Sequence, residues 1–123
     1  MTIAHHEPYA ELSPQGRNVH RALTSLVEEL EAVDWYNQRV DVTDDAELKA
    51  VLAHNRDEEM EHAAMALEWL RRVMPRFDEA LKTYLFTSGS ITQVEEERKG
   101  SDEGQTEPAG EPDLGIGTLR KGD

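Results

Sequence analysis

The stretch Arg56-Asp57-Glu58-Glu59-Met60-Glu61-His62 decides how the rest of the chain is read. It sets Glu59 and His62 three residues apart inside a long helical pattern, and positions i and i+3 share one face of a helix. Steps of three and four outward from this pair give Leu48, Leu52, Asn55, Glu59, His62, Ala66, Trp69 and Val73. The ends of that stripe are apolar and belong in a core, while its centre is a carboxylate and an imidazole. Burying a lone carboxylate is costly unless a partner charge or a metal offsets it. Carboxylate oxygens with one imidazole suit a divalent first-row metal.

Upstream, Ser13-Pro14 reads as a helix start, with Ser13 as N-cap and Pro14 in the first helical position. The spacing predicts a helix to about Val40. Its apolar residues Val19, Leu23, Leu26, Leu30 and Val33 recur in a four-three rhythm, a seam that packs nearly antiparallel against a neighbour. Glu29 lies at the edge of that seam beside Ala22, Leu26, Val33 and Tyr36, whereas Glu28 and Glu31 point away from it. Asp41 to Asp45 form a short polar connection, and Asp44 with Glu47 has the form of a capping box. The second helix is expected from about Asp45 to Met74. Two such helices joined by so short a loop make an antiparallel hairpin.

Pro75 ends that helix and opens a third, in which Phe77, Ala80, Leu81, Tyr84 and Leu85 give an apolar face ending near Phe86. Ser88-Gly89-Ser90 marks a stop. The fold class is therefore all-α: a two-helix hairpin plus a short C-terminal helix over residues 13–90. Residues 1–12 are expected to be a flexible terminus. From about Glu95 the composition turns to Glu, Gly, Ser, Gln and Pro, so residues 91–113 are expected to be a disordered linker. Apolar residues return in Leu114-Gly115-Ile116-Gly117-Thr118-Leu119-Arg120, and residues 114–120 read either as a docking peptide on a flexible tether or as a plain tail.

The totals narrow the function. The chain has 123 residues and no cysteine, so disulfides, thiolate metal sites and a thiol nucleophile are excluded. With 13 basic and 26 acidic residues it carries a net charge of -13, which disfavours nucleic acid and favours cations. No apolar run approaches a membrane span, and no signal peptide is visible, so no membrane association and an intracellular location are expected. His5 and His6 carry ligating side chains on a segment that reads as a frayed end. His20 and His54 fall off the ligand face.

Di-iron sites in four-helix bundles take a Glu from each of two helices and a Glu-x-x-His from each of the other two. This hairpin carries half of that set: Glu29 from the first helix, Glu59 and His62 from the second. Three ligands and two uncovered apolar seams are both completed by two-fold self-association, so a dimer with an interfacial metal site is expected. Tyr36 shares the face of Glu29 and reads either as a hydrogen-bond or electron partner of the site or as an amphipathic core residue. Glu28, Glu31 and Asp34 read either as cation attractors or as a solvated face, and Glu58 and Glu61 carry the same ambiguity.

Four segments then show a family resemblance. Glu28-Glu29-Leu30-Glu31-Ala32-Val33-Asp34-Trp35-Tyr36, His54-Asn55-Arg56-Asp57-Glu58-Glu59-Met60-Glu61-His62-Ala63, Leu67-Glu68-Trp69-Leu70-Arg71-Arg72 and Thr83-Tyr84-Leu85-Phe86 resemble the encapsulated ferritins, in order, over about residues 17–90. The tail Leu114-Gly115-Ile116-Gly117-Thr118-Leu119 resembles the peptide that loads such proteins into an encapsulin shell. The resemblance implies a half-ferritin that dimerises into a ferritin-like four-helix bundle. It also implies a ring of dimers, typically a decamer, inside an encapsulin nanocompartment in the bacterial cytoplasm. It implies a ferroxidase that oxidises Fe2+ with oxygen and leaves mineral storage to the shell. Ligands would be Glu29, Glu59 and His62, with Tyr36 at the di-iron centre. Glu28 and Glu31, with Trp35 beside them, would take up iron, and Leu114, Ile116 and Leu119 would meet the shell. Other divalent metals, zinc or manganese, would also bind such ligands. The competing expectations are a rubrerythrin-like di-iron peroxidase, which usually carries a cysteine-ligated iron domain absent here, and a non-catalytic metal-binding adaptor.

Overall fold

The computed structural model describes residues 5–103. Every regular element among them is helical: a single 3-10 turn at Tyr9–Glu11, then α1 (Pro14–Val42), α2 (Ala46–Val73), α3 (Pro75–Tyr84) and α4 (Ile91–Glu103). The chain divides into two compact units, residues 1–70 and 71–123.

In the first unit, α1 begins where the sequence places it. The Ser13 side chain accepts a hydrogen bond from the Gly16 amide at 2.9 Å, and Pro14 occupies the first turn, where its missing N–H costs nothing. The helix ends at Val42, and the Thr43 hydroxyl closes its last turn by donating to the Arg39 carbonyl. Only Thr43, Asp44 and Asp45 separate α1 from α2. The cap of α2 is Asp45 and not Asp44: its Oδ1 accepts from the Leu48 amide at 2.8 Å, and its carbonyl accepts from the Lys49 amide at 2.9 Å. The cap therefore falls one residue later than expected, and with Leu48 three residues on it is a simple cap and no box, because the first intrahelical bond starts at Asp45 and fixes which carboxylate faces the free amides.

The two helices run antiparallel. Arg56 of α2 donates to Asn37 of α1 at 3.1 Å, His62 meets Glu29, and Trp69 lines a groove with Asn18, Arg21, Ala22 and Ser25. As α2 advances, its partners on α1 recede, so one helix runs against the other.

A two-helix layer cannot surround its own seam. Val19 and Leu70 are fully buried and Ala63 nearly so, but they are the only buried apolar side chains among the described residues. Leu30, in the middle of the α1 seam, remains 52 % exposed, and Leu48, Val51, Met60 and Met65 of α2 are also exposed. Among the described residues no helix is long and apolar enough to cross a membrane.

Within the stretch before α1 expected to be flexible, Tyr9 contacts the helix. The Arg17 side chain donates to the Tyr9 carbonyl at 3.1 Å and its guanidinium lies 4.2 Å from the Tyr9 ring centre, while Arg21 donates to the Tyr9 hydroxyl at 2.8 Å. These contacts depend on tertiary placement and leave no periodic signature in sequence.

In the second unit, α3 starts at Pro75 as expected. Asp78 joins Arg71 and Lys82, accepting from Arg71 and pairing with the Lys82 ammonium at 3.1 Å. These two cations, Arg71 foremost, hold the Asp78 carboxyl below its ordinary range. Phe86 (φ 62) and Gly89 (φ 88) adopt left-handed backbone that turns the chain after α3. The region expected to be linker from residue 91 instead begins with helix α4, which packs on α3. Its formation rests on local chemistry. Ser90 Oγ lies 3.4 Å from the Gln93 amide at the cap, Glu95 pairs with Lys99 at 3.7 Å one turn on, and the intervening residues are good helix formers.

Candidate metal centre

The α1–α2 hairpin brings Glu29, Glu59 and His62 together. One ligand atom from each lies within 4.8 Å of the others. His62 Nδ1 is 2.8 Å from Glu59 Oε1 and 3.3 Å from Glu29 Oε2. Glu59 and His62 meet because three residues of helix return to the same face; Glu29 meets them because the hairpin register places α1 opposite. Both carboxylates are largely sheltered, while the imidazole is half exposed.

The charge balance of this trio is that of a cation site. Two carboxylates converge on one imidazole, and the hydrogen bond that Glu59 accepts from it raises the His62 pKa above its ordinary value. Partial desolvation opposes that rise, and the charges of Glu29, Glu59 and Glu58 reinforce it. Carboxylates this close need a positive partner, and the upward shift of the His62 pKa favours the protonated imidazole in that place. A divalent ion with a preference for oxygen and nitrogen donors fits the same place, entering as the proton leaves. Among the described residues this is the group of three or more acidic and histidine side chains close enough to hold a metal.

The other expected residues lie outside the trio. Tyr36 has its ring 5.2 Å from the Arg39 guanidinium. Trp35 and Glu28 are exposed on α1, and Glu31 is half-buried. Glu58 faces outward and pairs with His54 at 3.6 Å. Leu114, Ile116 and Leu119 fall outside the described residues. The sequence reading assigned no role to the Arg56–Asn37 bond, which ties the helices within one turn of Glu59 on α2. Arg56 precedes Glu59 by three and so shares its face, but its partner on α1 becomes visible only with the hairpin register.

An antiparallel helical hairpin with a Glu-Glu-His cluster on an incompletely covered seam defines the class: a ferritin-like helical hairpin with a candidate metal site. The comparisons name the family. The EncFtn-like family profile matches residues 4–88, and the chain belongs to that family. It is 59 % identical over 103 residues to a "Ferritin-like protein" of Thermotoga maritima, covering 84 % of this chain and 90 % of the relative. It is 54 % identical over 121 residues to the "Encapsulated ferritin-like protein" of Rhodospirillum rubrum, covering 94 % of this chain and 86 % of the relative. The crystal structure of protein ne0167 from Nitrosomonas europaea superposes with a TM-score of 0.70 at 63 % identity, covering 72 % of this chain and 98 % of that one.

Proposed function

We propose that the protein is a ferroxidase that takes Fe2+ as substrate and oxygen as electron acceptor, at a site shared between two copies of the chain. The observation that carries the reading is the convergence of Glu29, Glu59 and His62 within 4.8 Å. One trio supplies three donors, fewer than a six-coordinate iron requires, and His62 stands half exposed at its open side. A second copy packed on the uncovered seam brings a second trio to the same place and completes a four-helix core. Each Fe2+ gives one electron to the acceptor. The protein's part is to hold the ions, with Glu29 and Glu59 as the anionic ligands and His62 as the neutral one once its proton has left. Glu28 and Glu31, beside Trp35 on α1, serve iron uptake, and Tyr36 acts next to the centre.

The chain docks to an encapsulin shell through Leu114, Ile116 and Leu119, and the product iron passes to the shell lumen. Relatives named as an encapsulated ferritin-like protein and as an encapsulin nanocompartment cargo protein support this assignment. The first of these matches over 94 % of the chain, a span that must reach into the tail peptide. The assembly is a ring of dimers held inside that compartment.

The test is anaerobic Fe2+ loading followed by oxygen, with ferric absorbance followed in the full chain and in His62→Ala. Fast oxidation in the parent that is largely lost in the variant supports the reading. Equal rates in both, close to that of iron in buffer, would leave a protein that binds metal without turning it over.

A further inference from the structure

We propose that His5 and His20 form a second metal site, a bis-imidazole pair for a nitrogen-preferring divalent ion of the Cu2+, Ni2+ and Zn2+ class, which clasps the N-terminal arm onto α1. The two residues are fifteen positions apart in sequence, yet the arm folds back so that their ring centres lie 4.5 Å apart. His5 is exposed and His20 half-buried. Among the described residues, no hydrogen bond or ion pair engages the ring nitrogens of either, and their neighbours are ring contacts alone: His20 against His5, and Tyr9 5.2 Å from His5.

A metal bound by two imidazoles at about 2 Å from each nitrogen holds their ring centres roughly 5 Å apart, close to the spacing already present. An all-nitrogen pair differs in kind from the Glu-Glu-His trio. Imidazole donors without carboxylates favour borderline ions, with Cu2+ the tightest of the divalent series. The guanidinium groups of Arg17 and Arg21 are nearby, but both are turned toward Tyr9. Glu7 and Glu11 share the arm, and the chain's net charge of -13 favours cations overall.

The clasp has a structural consequence. The Tyr9 contacts already hold the arm, and a metal across His5 and His20 closes the same loop by coordination. Whatever binds only the closed form stabilises it by mass action.

The experiment uses the full chain carrying His62→Ala, which removes the only imidazole of the trio, titrated with Cu2+ alone. The expected result is an electron paramagnetic resonance spectrum with coupling to two nitrogens, and a raised melting temperature. Adding His20→Gln should remove one coupled nitrogen and weaken binding at least tenfold, His5→Gln should do the same, and His6→Gln should do neither. A spectrum and affinity unchanged by His20→Gln, or lost with His6→Gln, would overturn the site. Should the His62→Ala background not fold, the parent serves: His20→Gln should lower the bound Cu2+ by one equivalent per chain, and an unchanged stoichiometry overturns the proposal.

Discussion

His62 concentrates the chemistry of the trio in one ring. Its Nδ1 donates to Glu59 at 2.8 Å and lies 3.3 Å from Glu29, so a single nitrogen mediates the contact between the two helices at the site. Replacing it with alanine removes one donor of the candidate site and leaves two carboxylates without the imidazole that bridges them. Even an outer-shell partner of a metal costs about 10–100-fold when lost, and His62→Ala should lower iron oxidation by at least that much, measured as ferric absorbance under oxygen. Asp78 offers a residue-scale test of a different kind. Its carboxyl pKa is depressed, chiefly by Arg71 and then by Lys82, so its stabilising contribution is present above the ordinary carboxylate range and is lost as pH falls through the lowered value. The melting temperature of the parent should therefore fall more steeply on acidification from pH 7 to about 3 than that of Asp78→Asn. Parallel curves would show that the Arg71–Asp78–Lys82 cluster contributes nothing measurable.

At the scale of elements, the sequence shows the helices whose signals are local and periodic. Ser13-Pro14, the 4-3-4-3 apolar rhythm and Pro75 place α1, α2 and α3 to within a few residues, because capping and amphipathicity act over one or two turns. The Glu29–Glu59–His62 trio was legible for the same reason: a short loop forces the hairpin, and the hairpin forces the register. What was not legible depends on weak or non-local terms. Helix α4 has few apolar residues and rests on a cap and an i,i+4 ion pair, which composition alone does not reveal. The arm is held by Tyr9, Arg17 and Arg21, whose meeting requires the fold. The Arg56–Asn37 bond belongs to this second group and bears on function. Arg56 lies six residues before His62, about 9 Å along the helix, so the bond pins the hairpin register beside the site. Asn37→Ala should weaken metal binding by titration calorimetry while leaving helical content, read by circular dichroism, unchanged. An unaltered affinity would show that seam packing alone sets the register.

For the whole molecule, the balance of buried and exposed surface argues for more than one copy. Three apolar side chains are buried among the described residues, while Leu30, Val51, Met60 and Met65 stand open along the hairpin. Apolar surface left in water at that density drives association, at roughly 25 cal/mol per Å2 removed from solvent. In the proposed dimer the metal would add a second drive, since two trios facing each other across the seam would each supply what the other lacks. Separate variants therefore test these two contributions. Leu30→Lys places a charge in the seam beside Glu29 and should give monomers with or without metal, seen by native mass spectrometry. Glu59→Ala leaves the seam apolar and removes a ligand. It should keep whatever association the seam supplies alone and lose only the part that metal adds. If Glu59→Ala dimerises with metal as the parent does, the site is not shared between chains, and the trio must then act within one hairpin. The seam residues and the trio are all drawn from positions before Gly100. A chain ending after Gly100 should oxidise iron at the parental rate and fail to load into the shell on co-expression. Loss of oxidation in that truncation would place the tail in the centre itself.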